Sequence, residues 1–375
     1  MKTEQTLREL VAIDSVSARS NEAIISYLER KCQAAGLLTD RFPHADENGA
    51  AKINLVARSA AATEIELALV GHTDTVPYDP NWSDALRLNL RDGKLFGRGA
   101  CDTKAFIAAV LTAVEMIDLQ SLTKPLALIF TADEEIGCLG AKRLADANPF
   151  TVRYAIVGEP TSLRPLRAGK GYCVAVITVR GQEAHSAYPQ LGSSAIFYAA
   201  RLIQRIEEIS VVLTHDRHPD FDPPHTTVNV GVINGGTAKN IIPGECRFTL
   251  EWRPIPAQQT DYVSVLVNKA ISDLQGENQN IEYVVNAARA DKSFETPPDS
   301  AVVYFLESAS GKKGGTVAFG TEAPSLIALG ADAVVFGPGD IRVAHRTNEF
   351  VPVDELERCV EIQRRAIDHF CGKPL

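Results

Sequence analysis

Aliphatic runs that lead into an acid or a histidine recur along this chain. Residues 64–70 lead into Gly71-His72-Thr73-Asp74-Thr75-Val76-Pro77, 126–130 into Thr131-Ala132-Asp133-Glu134-Glu135, and 154–157 into Gly158-Glu159-Pro160. Residues 333–336 run toward Ala344-His345. Short β-branched or aliphatic runs of this kind predict buried parallel strands. Helical patterns lie between them. Residues 22–35 predict an amphipathic helix closed by Gly36, a residue able to take positive φ at a helix end. Residues 105–119 are mostly apolar and predict a helix packed on the sheet, and 140–147 predict a shorter one. This βαβ rhythm predicts an α/β domain built on a doubly wound, mostly parallel sheet.

Near Gly171 the pattern changes. Residues 174–179 predict a strand and 194–209 a helix anchored by Ile196, Leu202, Ile203 and Ile206. Strands at 226–233 and 246–252 follow, joined through a loop that begins Gly235-Gly236, and then a helix at 261–274 and a strand at 281–287. The order βαββαβ resembles a ferredoxin-like α+β module. Its conspicuous polar residue is His185. From about residue 288 the α/β pattern resumes, with helices at 300–310, 322–328 and 353–370. The expected organisation is a discontinuous catalytic domain, 1–173 with 288–375, carrying an inserted domain at 174–287.

Bulk properties narrow the class. A chain of 375 residues has room for two domains, and 45% hydrophobic with 23% charged residues is the balance of a soluble globular protein. A net charge of −9 argues against a nucleic-acid partner, whose backbone requires a basic footprint. The charged N-terminal segment lacks a secretory apolar region, and no apolar stretch approaches the length of a membrane span. Seven scattered cysteines without a Cys-x-x-Cys pair fit a reducing compartment, so the cytoplasm is the expected location.

The polar residues at the strand ends have a chemistry in common. His72 and Asp74, two apart on extended backbone, share a face, and a carboxylate beside a ligating imidazole fixes its tautomer. Asp102 lies between a glycine-rich loop, Gly97-Arg98-Gly99, and a predicted helix, where it could cap the helix or bridge two metals. Glu134 and Glu135 are adjacent acids that repel each other unless a cation sits between them, and one can ligate while the other moves protons. Glu159 precedes Pro160, which biases it toward extended backbone. Each residue singly has a plain structural use. Gathered beyond the carboxyl ends of one sheet, they point to a metal centre.

Gly71–Pro77, Asp133-Glu134-Glu135, Gly158-Glu159-Pro160-Thr161, the segment from Gly181 through His185-Ser186-Ala187-Tyr188-Pro189, and Ala344-His345 resemble the aminoacylase, carboxypeptidase and desuccinylase superfamily of di-zinc amidohydrolases. Within it, Gly158-Glu159-Pro160-Thr161-Ser162-Leu163, Gly320-Thr321-Glu322-Ala323-Pro324 and Gly337-Pro338-Gly339 are similar to the acetylornithine deacetylase branch. The resemblance implies two divalent ions, zinc with cobalt as a substitute. His72 and Glu159 would hold one and Glu135 and His345 the other, with Asp102 bridging, Asp74 orienting His72, and Glu134 acting as general base and acid. It implies that His185 stabilises the oxyanion from a partner subunit, so that the inserted domain serves as lid and dimerisation module of a homodimer. It also implies a cis Asp102–Thr103 bond. Asn240 and Arg253 would grip a substrate carboxylate. Glu322, in one motif with Gly320, opens a predicted helix where its carboxylate would meet the δ-ammonium of ornithine, although a helix N-terminus also favours an acid for structural reasons.

The implied activity is removal of the acetyl group from N2-acetylornithine, yielding ornithine and acetate for arginine biosynthesis. The alternatives are the same chemistry on succinyl-diaminopimelate, acetylcitrulline or a short peptide. A binding protein with a decayed site would have lost a ligand or Glu134, and none is missing. The chain departs from the family pattern at Thr103-Lys104-Ala105, where Met-Lys-Gly is usual, and at Arg346-Thr347, where Gln-Pro is more common. Arg98, Arg167 and Lys170 are expected in structural ion pairs.

Overall fold

The computed structural model describes residues 2–46 and 49–373. Two compact units divide the chain. One comprises Met1–Arg167, Glu295–Gly315 and Thr321–Leu375, the other Ala168–Phe294 and Thr316–Gly320. The divisions fall a few residues outside the expected 174–287. The two strands that open and close the second unit, Tyr172–Arg180 and Glu282–Asp291, extend beyond the apolar pattern and stay paired to their ends, with Tyr172 opposite Asp291.

The first unit is built on a mixed sheet whose centre is parallel. Six of its nine strands lie in the order Leu38–Ala45, Ala51–Arg58, Leu126–Thr131, Glu64–His72, Thr151–Val157 and Asp332–Val335. The last four run parallel, and the first two form an antiparallel hairpin at one side. Side-chain alternation explains the layering. Leu67, Leu69, Leu128, Phe130, Ile156 and Val334 share a buried cluster with helices Lys2–Ala12, Glu22–Ala34, Lys104–Val114, Ala301–Ser310 and Val353–Cys371. On the opposite parity, small and β-branched residues such as Ala68, Val70, Ala155 and Val157 face the other side. Helices Leu139–Ala147 and Ala323–Ala328 pack there against each other and the sheet. The sheet is thus wound on both faces.

The helix Lys104–Val114 is buried along its whole length, which accounts for its lack of a polar stripe. It stops before the expected 119. Glu115 and Met116 are exposed, and Asp118 turns its carboxylate onto the backbone N–H of Gln120. Such a local side-chain bond competes with helix continuation.

Gly158 shows how tightly the sheet and this helix meet. A Cβ at that position would lie 2.1 Å from the Phe106 ring. Gly158→Ala is therefore expected to cost about 1–3 kcal/mol through overpacking, read as a lower urea midpoint with an unchanged slope.

The second unit has four antiparallel strands in the order Thr227–Gly235, Glu245–Arg253, Tyr172–Arg180 and Glu282–Asp291. Helices Ala195–Leu213 and Tyr262–Glu277 pack on each other, and both contribute to one buried cluster with the strands. Ser194 caps the first helix by accepting from Phe197 N. A short ladder pairs Ala184–His185 with Ile241–Ile242. Among the described residues no helix is long and apolar enough to cross a membrane. The seven cysteines are buried thiols.

Candidate active site

The four parallel strands deliver their carboxyl ends to one edge of the sheet, and the polar residues follow from there. His72 closes its strand, Asp133-Glu134-Glu135 follow Leu126–Thr131, and Glu159 lies two residues past Thr151–Val157. His345 comes after Asp332–Val335 and the short turn Ile341–Val343. Asp102 immediately precedes Thr103, the N-cap residue of helix Lys104–Val114. The Asp102–Thr103 peptide bond is cis. Thr103 Oγ1 donates to Gly158 O at 2.9 Å, tying the Asp102 loop to the segment that bears Glu159. Asp133 and His345 both adopt left-handed backbone, with φ of 58° and 60°, a strained choice for residues with side chains that concentrates at functional sites.

Asp102 occupies the middle. One carboxylate oxygen lies 3.0 Å from His72 Nε2 and the other 3.2 Å from His345 Nε2. His345 Nε2 also lies 3.0 Å from Glu135 Oε2. Ligand atoms of His72, Glu134 and Glu159 lie within 4.8 Å of one another, and a second such group is His72, Asp102 and Glu135. The adjacent acids Glu134 and Glu135 therefore fall in different groups, both of which include His72. Glu322, beside the helix Ala323–Ala328, is 1% exposed, and its Oε1 has no hydrogen-bond partner.

Two carboxylates outside the cage hold its loops. Asp74 accepts from the backbone N–H groups of Glu134 at 3.1 Å and Glu135 at 3.2 Å. Its carboxylate is 3.6 Å from His72 Nδ1, whereas its main-chain oxygen is 3.0 Å from that nitrogen. Asp74 thus fixes the acid pair as well as the imidazole. Glu349 does the same for Asp102. Its Oε1 accepts from Cys101 N at 2.9 Å and Asp102 N at 3.0 Å, while its Oε2 takes Arg98 Nη1 at 2.6 Å. Arg98 and Arg167 are in ion pairs, with Glu349 and Glu295. Lys170 departs from the expectation, since its ammonium donates to the carbonyls of Pro223 and His225.

The electrostatics of this cage are those of buried anions short of cations. Burial raises Glu134 to about 8, and Glu135, Glu322 and Asp102 add repulsion that His72 only partly offsets. Glu159 is pushed well above the carboxylate range by burial and by Asp102 and Glu134. Burial also raises Glu135, and Glu322 to about 7. Burial alone would raise Asp102 too, but hydrogen bonds from His345 and His72 hold it low. The imidazoles shift in the complementary sense. His345 rises to about 10 through its bonds to Asp102 and Glu135. His72, which burial alone would lower, is held well above its usual value by Asp102 and Asp74. Glu135 Oε1 is buried without a partner, like Glu322 Oε1. Unpaired buried acids around two imidazoles are costly without positive charge, so the donor set fits divalent cations.

The four remaining candidates lie in the second unit. His185 is exposed, and its Nδ1 accepts from Ala187 N at 3.0 Å. Asn240 is exposed, and its carbonyl accepts from Ser186 N. Arg253 pairs with Glu251 at 2.9 Å and donates to Ala318 O. Gly320 lies beside the Arg289–Asp291 pair.

A parallel sheet wound on both faces, with histidines and carboxylates at the strand ends, defines a metallohydrolase-type centre. Residues 68–369 match the model of peptidase family M20/M25/M40, and the chain belongs to that family. It is 52% identical over 370 residues, 98% of this chain and 97% of the other, to the acetylornithine deacetylase of Myxococcus xanthus. It is 35% identical to that of Proteus mirabilis, over 97% of this chain and 95% of the other. Among solved structures, a tripeptidase from Staphylococcus aureus superposes with a TM-score of 0.77 at 24% identity, covering 97% of this chain and 96% of that one. A family M20 metallo-carboxypeptidase from Sulfolobus solfataricus superposes with a TM-score of 0.74 at 18% identity, covering 99% of each chain. These two likenesses show the fold.

Proposed function

We propose that this chain is a metal-dependent amide hydrolase that removes the acetyl group from N2-acetylornithine to give ornithine and acetate. Asp102 carries the chemical part of this conclusion, because its two oxygens face two different imidazoles at the centre of a buried acid cluster. The substrate follows from the deacetylase that shares 52% identity across nearly the whole chain. His72 and Glu159 would hold one cation, Glu135 and His345 the other, and Asp102 both. Nitrogen and carboxylate donors suit zinc, with cobalt as a substitute. Two such ions would supply the Lewis acidity that polarises an amide carbonyl and acidifies a water.

The rest of the chemistry belongs to the protein. Glu134 accepts the proton of the attacking water and passes it to the departing amine. Burial raises its carboxyl to about 8, and a neighbouring cation lowers a carboxyl pKa, so the group works near neutrality. Asp74 keeps Glu134 in reach by holding its backbone N–H. Asn240 and Arg253 take the substrate carboxylate, with Arg253 exchanging Glu251 for it. Gly320 lines the same subsite. Glu322 receives the distal ammonium of the substrate, supported by its buried, unpartnered oxygen.

The second unit is proposed as a ferredoxin-like lid and as the interface of a homodimer, from which His185 of one copy serves the other. Its edge strand Thr227–Gly235 exposes Val232 and Ile233, and Phe197 is 70% exposed. Apolar edge strands of soluble proteins are normally covered. Buried thiols fit the reducing cytoplasm.

A substrate panel tests the assignment. The zinc-loaded protein is expected to release acetate from acetylornithine at a kcat/KM at least about 10-fold above acetylcitrulline, succinyl-diaminopimelate or a dipeptide, since an ammonium met by a buried carboxylate is worth more than one factor of ten. Glu322→Gln is expected to erase that preference. A panel led by another substrate, or an unchanged preference in the variant, would reject the corresponding assignment.

A further inference from the structure

The carboxylate of Asp74, which fixes Glu134 and Glu135, is itself held from an unexpected place. Ser17 Oγ donates to Asp74 Oδ2 at 2.7 Å, and Ser17 is buried. The segment carrying Ser17 leaves the first helix, Lys2–Ala12, and runs parallel to residues 73–76. Thr75 N donates to Ser15 O at 3.0 Å and Ser17 N to Thr75 O at 3.1 Å. Two fully buried lysines pin it. Lys104 Nζ donates to Ile13 O at 2.9 Å. Lys52 Nζ donates to Ser17 O and Arg19 O and also forms a 2.7 Å ion pair with Asp133, the residue before Glu134. Burying two ammonium groups chiefly to hold carbonyls of one segment is expensive unless the position of that segment matters.

We propose that residues 13–19 form a positioning strap, anchored through its backbone carbonyls by Lys52 and Lys104, in which the Ser17 hydroxyl locks the Asp74 carboxylate onto the backbone amides of Glu134 and Glu135. Asp74 has two oxygens to divide among His72, Glu134 N, Glu135 N and Ser17. The hydroxyl settles that division. With Oδ2 shared between the Ser17 hydroxyl and the Glu135 amide, the carboxylate resists rotation away from the amides, and Glu134 stays where a proton shuttle must be. Ser17 touches no reacting atom in this scheme. It acts through Asp74. The role rests on the hydrolase reading above.

The test compares Ser17→Ala with Ser17→Cys, which is slightly larger and keeps a weak S–H donor, and with Ser15→Ala. The Ser15 hydroxyl is buried in the same strap with no partner. Loss of a group that orients a metal site typically costs 10–100-fold in activity or metal affinity. Ser17→Ala is expected to lower kcat by about 10–100-fold with KM within about twofold, and to weaken Co²⁺ binding to the chelator-stripped protein by about 10-fold. Ser17→Cys should recover part of the loss, and Ser15→Ala should match the parent in both readouts. An unchanged kcat in folded Ser17→Ala overturns the proposal. So does a loss equal to that of Ser15→Ala, which would mark a general loosening of the strap. If Ser17→Ala does not fold, Ser17→Cys against the parent carries the same comparison. Should the parent hydrolyse nothing in the panel, the hydrolase reading fails separately. The Co²⁺ titration then decides alone, with unchanged affinity overturning the role of Ser17.

Discussion

Glu134→Ala is expected to lower turnover of the acetylated substrate by about 10²–10⁴-fold, the usual contribution of a positioned general base and acid, while metal uptake and folding persist. Glu134 is dispensable for the fold because it lies beyond the strand Leu126–Thr131, and its backbone amide, which Asp74 holds, survives the substitution. The five proposed ligands remain. Stability offers a second readout with a definite sign. In metal-stripped protein Glu134 titrates near 8 when folded, against the usual 4.5. The folded state therefore binds more protons between those values. The stability this contributes is complete below about 4.5 and is lost as pH rises toward about 8. Glu134→Ala should flatten that slope in urea titrations across the window. A variant that keeps near-parental kcat would remove Glu134 from the proton path.

Arg98→Met should be the most destabilising of the substitutions considered. Arg98 and Glu349 are 3% and 1% exposed, and the guanidinium is the cation facing an acid that also holds the Cys101 and Asp102 amides. Removing one partner of a buried pair leaves the other uncompensated and costs about 3–5 kcal/mol. Burial already raises Glu349 above its usual value, so the acid responds partly by taking up a proton. Its hold on the Asp102 loop then weakens, and activity should fall together with stability. The double variant Arg98→Met/Glu349→Gln should regain part of the stability by removing the stranded charge. Denaturant unfolding of both variants decides this. A loss under about 1 kcal/mol in Arg98→Met would mean that the pair behaves like an exposed one.

What could be read in the chain and what could not divide along a physical line. The strands ending at His72, Thr131 and Val157 were legible because a fully buried parallel strand must be continuously apolar, and their order in sequence matched the order of the acids and histidines. The hairpin Leu38–Ala45 with Ala51–Arg58 was not. Its first strand alternates exposed and half-buried residues with Asp40, Arg41, Pro43 and His44, a weak signal in a polar segment. The extent of helix Lys104–Val114 was overestimated because Met116, Ile117 and Leu119 continue the apolar composition, while the Asp118 turn that ends the pattern is visible only as geometry. The candidate ligands could be picked out because acids at the ends of buried strands are conspicuous. Glu349 and Ser17 were not, since nothing local distinguishes an acid in Thr347-Asn348-Glu349 or a serine in Ser15-Val16-Ser17 from solvated loop residues.

Hydrophobic periodicity and motif spacing are local properties of a chain, so the α/β class and a candidate donor set could be read from the residues alone, and the match over residues 68–369 supplies the family. Three-dimensional packing was needed to show which carboxylate is shared between two imidazoles, which acid holds which loop, and that Ser17 closes on Asp74. Those facts depend on pairs such as Arg98 with Glu349, 251 positions apart. Their partnership is set by where the sheet edge brings distant loops together, while burial there leaves Glu135 Oε1 and Glu322 Oε1 without a partner.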